Sequence, residues 1–265
     1  MPNITKITTQ KKRKDRYNIF VDEKYAFSVD EEVLMKFQLK KGTALDDLLL
    51  AEIQFHDEIQ KAFTDAIHYL SYRMRSESEI RLYLKKKETE EPIIKEAIFK
   101  LYSFNYLDDL EFAKAYVRTH VNGGSKGPAT LKLELKEKGI QEKLVFEALK
   151  EYPVDLQIEH ARNLAEKSIK KEKNISERAL RQKVEQTLLR KGFPRDVFLE
   201  ALEDVTVEKD EGEQWDSLCH HAQKLERRYN NLESFEHGQK MKQALYRKGF
   251  PMELIERYLS KSDRE

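Results

Sequence analysis

The spacing of apolar and polar positions divides this chain into a short β-like beginning and a long helical remainder. Residues 4–9, 17–21 and 25–29 carry β-branched and aromatic side chains in partial alternation, the period of half-buried strands. From about Glu52 onward apolar residues recur three and four apart, which places them on one stripe of a helix. The pattern predicts three strands, a short helix over 31–37, and helices thereafter. Asp22-Glu23-Lys24 is a plausible tight hairpin between the second and third strands. Three short strands bury too little to stand alone, so they are expected to pack on the first helices.

The helical part repeats one pattern four times. An amphipathic run leads to a Lys-Gly pair, a bulky apolar residue and a second apolar run, most clearly at 188–194 and 245–251. Lys138-Gly139-Ile140 is a third copy, and in 84–89 Glu88 stands where the others have glycine. Eight and four residues before that position sit Ile80 and Leu84, Leu131 and Leu135, Val184 and Leu188, and Met241 and Leu245. Upstream, an Ala-x-x-apolar signature begins at Ala66, Ala113, Ala161 and Ala222. Each copy is therefore a three-helix unit of roughly fifty residues, a length usual for helical repeats. Gly139, Gly192 and Gly249 can adopt the left-handed conformation that closes a helix, while Pro194 and Pro251 suit the first turn of the next.

The expected fold is mainly α, with tandem three-helix repeats in an elongated curved array and a small β-rich N-terminal segment. Its divisions are 1–57, 58–105, 106–152, 153–205 and 206–265. Capping-box patterns at Ser76-x-x-Glu79, Asp108-x-x-Glu111 and Asn174-x-x-Glu177 mark helix starts. An acidic stretch over 205–214, with Glu208, Asp210, Glu211 and Glu213, separates the third and fourth repeats, and the last four residues are expected to fray. Tyr102, Phe104 and Tyr106, beside Leu101 and Leu107, read as core, with base stacking as the alternative.

Composition narrows the function. Charged residues make up 37% and mean hydropathy is −0.76, so the helices face solvent and the cores are thin. No run of eighteen apolar residues exists to span a membrane, and the first residues lack an apolar signal region, which favours the cytosol. A lone cysteine, Cys219, excludes an intramolecular disulfide framework and fits a reducing compartment.

The formal net charge is +1, too balanced for a protein that coats nucleic acid, so any such contact must come from local clusters. One is Lys11, Lys12, Arg13 and Lys14, together with Arg16, in the first hairpin loop. The strongest lies in the third repeat, where ten basic residues between Lys167 and Arg195 face only Glu172, Glu177 and Glu185. It includes Lys170, Lys171, Lys173, Arg178, Arg181, Lys183, Arg190 and Lys191, which span the end of one helix and all of the next and are expected to converge on one surface. Arg73, Arg75 and Arg81 form a smaller version in the first repeat. Phosphate contacts need Lys or Arg without a sequence motif, and a charge run is otherwise a solvated helix face.

No catalytic, metal or cofactor pattern is present. The segment 122–127, Asn-Gly-Gly-Ser-Lys-Gly, lacks the spacing and the preceding strand of a phosphate-binding loop. Cys219, His220, His221 and His237 lack paired metal-ligand spacing. Asp108-Asp109 at a helix start suits capping and the helix dipole better than acid–base chemistry.

Several of these residues carry a family resemblance. Arg75-Ser76-Glu77-Ser78-Glu79-Ile80, followed by Leu84, resembles the opening motif of the RecX regulatory proteins, and the segment from Tyr106 to Arg118 resembles that family's most diagnostic stretch. Gly127-Pro128, Leu131, Leu135, Lys138-Gly139-Ile140 and Leu144 continue it, and the likeness runs in register from about 60 to 260. The resemblance implies a cytoplasmic bacterial protein, a monomer of tandem three-helix units without catalytic residues. Such a protein would bind RecA within the groove of its filament on single- or double-stranded DNA. It would inhibit recombinase, ATPase and coprotease activities in DNA repair and the SOS response. The signature residues Ser76, Glu79, Leu107, Asp108, Asp109, Phe112, Ala113, Gly139, Gly192 and Gly249 read as structural. Compared with short family members, this chain adds the β-rich N-terminal segment and a fourth repeat. The alternative is an autonomous DNA-binding protein that uses its repeats as helix-turn-helix readers.

Overall fold

The computed structural model describes residues 2–203, 205 and 210–262. Glu208 of the acidic stretch and most of the expected frayed end lie outside the described residues. Contacts group the chain into two compact units, one of residues up to 113 with 135–145, the other of 114–134 with 146–265.

In the first unit β1 (Ile4–Thr9), β2 (Arg16–Val21) and β3 (Lys24–Asp30) form an antiparallel sheet in sequence order. Val21 pairs with Lys24, and Asp22 and Glu23 between them have φ of 47° and 63°, the two positive values of a primed hairpin turn. Ile4, Ile19 and Val29 on the inner face pack with Val33 of α1 (Glu31–Lys36), Leu39, Leu45 and Ile53 of α2 (Asp47–Leu70). The sheet therefore shares its core with α2, as its small size requires.

Arg16 departs from its expected place among the surface cations. It is only 5% exposed, and its guanidinium lies 2.8 Å from the buried Asp57 carboxylate of α2. Asp57 also accepts from the Asp30 N–H and pairs with Lys61. Burial alone would raise the Asp57 pKa, but these donors hold it below the ordinary carboxylate range. Helix α2 runs unbroken across 57 and 58, with Ile53 in the N-terminal core and Ile59, Ala62, Phe63 and Ala66 in the first repeat.

The first repeat is completed by α3 (Glu77–Lys86) and α4 (Glu91–Ser103). The second has α5 (Asp109–Asn122), α6 (Pro128–Glu137) and α7 (Glu142–Leu149). The third has α8 (Val154–Lys171), α9 (Glu177–Arg190) and α10 (Arg195–Glu203), and the fourth α11 (Glu211–Tyr229), α12 (Ser234–Arg247) and α13 (Met252–Ser262). The signature alanines Ala66, Ala113, Ala161 and Ala222 are all fully buried in the first helix of their repeats. So are Ile80, Leu84, Leu131, Leu135, Leu188, Met241 and Leu245 of the aligned stripe, and Val184 is 1% exposed.

Two local expectations need correction. Ser76 makes the full capping box with Glu79, but α9 is capped by Ser176, while Asn174 sits outside the helix at φ 56°. Tyr102, Phe104 and Tyr106 are not core: they are 38%, 57% and 54% exposed. Helix α4 ends at Ser103 and Asn105 reverses the chain at φ 57°, which leaves Phe104 and Tyr106 in the exit loop with their rings against Phe63.

Candidate functional site

One junction is built three times, and it explains the Lys-Gly pair. The Ser76 hydroxyl caps α3 by accepting from the Glu79 N–H, and it donates to the Lys138 carbonyl at 2.7 Å. In the second unit Ser176 caps α9 in the same way and donates to the Lys248 carbonyl at 2.6 Å. Between the second and third repeats Gly127 occupies the cap position, its N–H reaches the Lys191 carbonyl, and the Thr130 hydroxyl donates there as well. In each case the start of a repeat's second helix grips the Lys-Gly turn of the following repeat.

The glycines are there for contact as well as for backbone angle. A Cβ on Gly139 would lie 2.4 Å from the Ser78 Cβ, one on Gly192 would lie 2.5 Å from the Thr130 backbone nitrogen, and one on Gly249 would lie 2.8 Å from the Ser176 hydroxyl. Glu88, the apparent exception, keeps the same left-handed conformation at φ 60°. The first repeat has no preceding three-helix unit to receive its turn, so a side chain is tolerated there.

The three junctions share hydrogen bonds but differ in charge. At the first, Glu79 takes Arg73 at 2.7 Å and has Lys138 at 3.9 Å. Burial alone would raise the Glu79 pKa, but the Arg73 guanidinium, the Ser76 N–H and Lys138 hold it below its ordinary value. Arg81 is likewise neutralised by Glu77 and Glu91, and Arg75 stacks on the Tyr69 ring with 4.0 Å to its centroid. The small basic cluster of the first repeat is thus engaged internally.

The signature residues lie at the same place. Asp108 caps α5 by accepting from the Leu110 and Glu111 N–H groups. Asp109 instead accepts from the Glu77 N–H at 2.8 Å and so closes α3 of the preceding repeat. Burial, with the neighbouring carboxylates, pushes the Asp109 pKa up against that hydrogen bond. Leu107, Phe112 and Ala113 are buried.

At the third junction the Glu79 carboxylate has no counterpart, while Glu177 keeps the place of Glu77 and accepts from Gln214 Nε2 outside the groove. Ala179 stands at the position of Glu79, and Arg178 at that of Ser78. A groove of about 460 Å³ opens there, lined by Arg178, Gln182, His221, Tyr246, Arg247 and Lys248 together with the Ser176 and Gly249 region. No acidic side chain lines it, and among the described residues Arg178, Arg247 and Lys248 have no ion-pair partner. Burial first, then the Lys248 charge, lowers the His221 pKa, and its Nε2 lies 2.8 Å from the Asn174 carbonyl oxygen. Tyr246 is 51% exposed at the rim.

The other basic residues are distributed more widely than their run in sequence suggests. Lys11, Lys12, Arg13 and Lys14 are all exposed in the β1–β2 connection, where Arg13 pairs with Asp15 at 3.0 Å. Lys170, Lys171 and Lys173 are exposed at and beyond the end of α8. On α9 the helical period splits the cations: Arg178 and Arg181 share one face, while Lys183 and Arg190, seven apart, share another. Lys183 is paired with Glu172 at 2.6 Å, and Lys191 is half-buried with its carbonyl inside a junction. They do not form one surface on that helix. Sequence reading passed over His221, Tyr246, Arg247 and Lys248 as site residues; the Lys-Gly register aligns Ser78 with Gln182, and only the shared serine caps bring Arg178 to the place of Ser78.

Among the described residues no cluster of His, Cys, Asp and Glu could hold a metal ion, and no helix is long and apolar enough to cross a membrane.

Comparison with known proteins covers the whole length. Residues 2–46 match the family model of the regulatory protein RecX N-terminal domain, 62–101 its first three-helix domain and 108–149 its second. The third three-helix domain matches twice, at 155–202 and 211–259, so the fourth repeat is a second copy of the third kind. Regulatory protein RecX of Bacillus velezensis is 49% identical over 99% of this chain and 100% of its own. That of Bacillus subtilis is 48% identical with the same coverage. A crystal structure of a regulatory protein RecX superposes with TM-score 0.72 at 41% identity, covering 77% of this chain and all of that one. RecX from Lactobacillus salivarius does so at 0.55 and 35% identity, covering 58% of this chain and 99% of that one.

Proposed function

The chain belongs to the RecX family of regulatory proteins, and from that membership we propose that it is a non-enzymatic cytoplasmic regulator that binds RecA on DNA and chiefly inhibits it. The observation that carries this reading is identity of 48–49% over the full length to proteins named as regulators. Tandem helical repeats present long surfaces suited to a repetitive partner. Near-neutral net charge suits a target that presents protein and phosphate together. The test is RecA's DNA-dependent ATPase with increasing amounts of this protein. Suppression at stoichiometric ratios, with shortening of filaments, is expected; an unchanged ATPase and filament length at saturation would end this reading.

A second reading, direct DNA binding without RecA, is favoured by the concentration of unpaired cations in the third repeat. It predicts affinity that falls steeply with salt, because each neutralised phosphate releases counterions. Binding insensitive to salt would exclude it.

A further inference from the structure

We propose that the groove at the junction of the third and fourth repeats is a binding site for single-stranded nucleic acid, with backbone phosphates on Arg178, Arg247 and Lys248 and a base on the Tyr246 ring. The proposal deepens the reading that this protein works on DNA, and it rests on that reading.

Three permanent cations line one groove that holds no carboxylate, in a chain whose net charge is only +1. The matching place at the first junction is neutralised: Glu79 there takes Arg73 and approaches Lys138. The third junction has lost that carboxylate to Ala179 and gained Arg178, while its scaffold hydrogen bonds are unchanged. Lys248 therefore faces no compensating charge within the groove. Such a site favours an anion over any neutral occupant.

Shape and chemistry select the anion. Guanidinium groups from two helices offer planar, multidentate donors suited to phosphate. Gln182 and His221 add polar contacts of no fixed charge, which suits a sugar or base edge. The Tyr246 ring at the rim provides a stacking face, which an acidic peptide does not need and an unpaired base does. A groove of about 460 Å³ accommodates a nucleotide-sized segment. A duplex keeps its bases stacked inside and would leave Tyr246 unused. Arg181, one helical turn from Arg178 and exposed, extends the cationic track along the same face of α9.

The experiment measures binding of a short fluorescein-labelled oligo(dT) to the full chain, without RecA, by anisotropy over a range of salt. The Arg178→Glu/Arg247→Glu variant is expected to weaken binding at least about tenfold and to flatten the salt dependence by an exponent of roughly one to two. Tyr246→Ala is expected to weaken binding about tenfold with the salt exponent unchanged, because stacking releases no counterions. Far-UV circular dichroism of each variant should match the parent. The comparator is Lys170→Ala/Lys171→Ala, outside the groove. A larger loss in that comparator, or oligo(dT) affinity in the groove variants equal to the parent, would overturn the proposal. So would a parent chain that fails to bind oligo(dT) at low salt. Groove variants that bind oligo(dT) normally but no longer bind RecA filaments would assign the groove to an acidic protein segment, which also overturns it. RecA ATPase inhibition is read separately. Its loss in the parent chain would refute the regulatory reading, whatever the groove does.

Discussion

The first and third repeat junctions are the same joint with different electrostatics, one balanced and one cationic. In both, a cap serine hydroxyl accepts from the third residue of its helix and donates to a lysine carbonyl of the next repeat, at 2.7 Å in one and 2.6 Å in the other. In both, a glycine with φ near 80° sits where a Cβ would collide. Yet at the first Glu79 is paired with Arg73 and lies near Lys138, whereas at the third Ala179 replaces that carboxylate and Arg178, Arg247 and Lys248 line the groove. The lesson is that one backbone carbonyl and one hydroxyl make the contact that the two joints share, so the charged side chains around it can differ. Charge can then differ from joint to joint without loss of the fold.

That comparison can be broken at its shared part. Gly192→Ala, at the second junction, which shares the same turn, should be the most damaging, since it combines a left-handed backbone with a Cβ 2.5 Å from the Thr130 nitrogen. A loss of about 2–4 kcal/mol in urea unfolding is expected from these two effects together. A loss near zero would mean that the junction opens at no cost. Ser76→Ala and Ser176→Ala should each lose about 1–2 kcal/mol, because a helix cap and a carbonyl partner disappear together. Similar values at the two sites would support one shared joint, and a loss at only one would dissolve it.

The remaining tests sharpen the difference. Glu88→Gly is expected to stabilise by about 1 kcal/mol, as it relieves a left-handed non-glycine residue with no neighbouring unit to clash with. Thermal unfolding would show it, and destabilisation would refute the explanation given for that position. Glu79 should give the first junction a pH dependence that the third lacks. Its folded pKa is lowered, so its contribution is present above its unfolded value near 4.5 and is lost as pH falls through the lower folded value. The stability gap between the parent chain and Glu79→Gln should therefore be largest near neutral pH and close in acid; a gap that widens in acid would contradict the assignment. The smallest effect on stability, about 0.5 kcal/mol or less, is expected for Ala179→Glu, which restores the first junction's capping box at the third. The same change should weaken oligo(dT) binding several-fold by placing a carboxylate beside Arg178.

Much of the scaffold is legible in the sequence, because it depends on period and on local chemistry. The Ala-x-x-apolar and Lys-Gly registers predicted buried stripes that proved buried in all four repeats, and Asp22-Glu23 predicted the hairpin turn. What failed were residues whose surroundings come from elsewhere in the chain. Arg16 lies beside four exposed cations in sequence, yet it is buried because Asp57, forty-one residues on, waits beneath the sheet. Phe104 and Tyr106 follow a helical stripe but lie past the end of the helix. Asn174 matched a capping pattern that Ser176, two residues later, fulfils. The run of third-repeat cations was visible as composition, but the helix period divides it between two faces of α9.

By itself, then, the sequence determined the repeat, its three helices, its core stripe and the family, since each is written in spacings of a few residues. Only the tertiary structure decided why glycine ends the second helix in three repeats and not in the first: the requirement comes from the repeat before, which presses its cap against that turn. It also decided where unpaired charge collects. Arg178, Arg247 and Lys248 lie up to seventy residues apart along the chain, and their groove exists because one hydroxyl and one carbonyl draw those segments together.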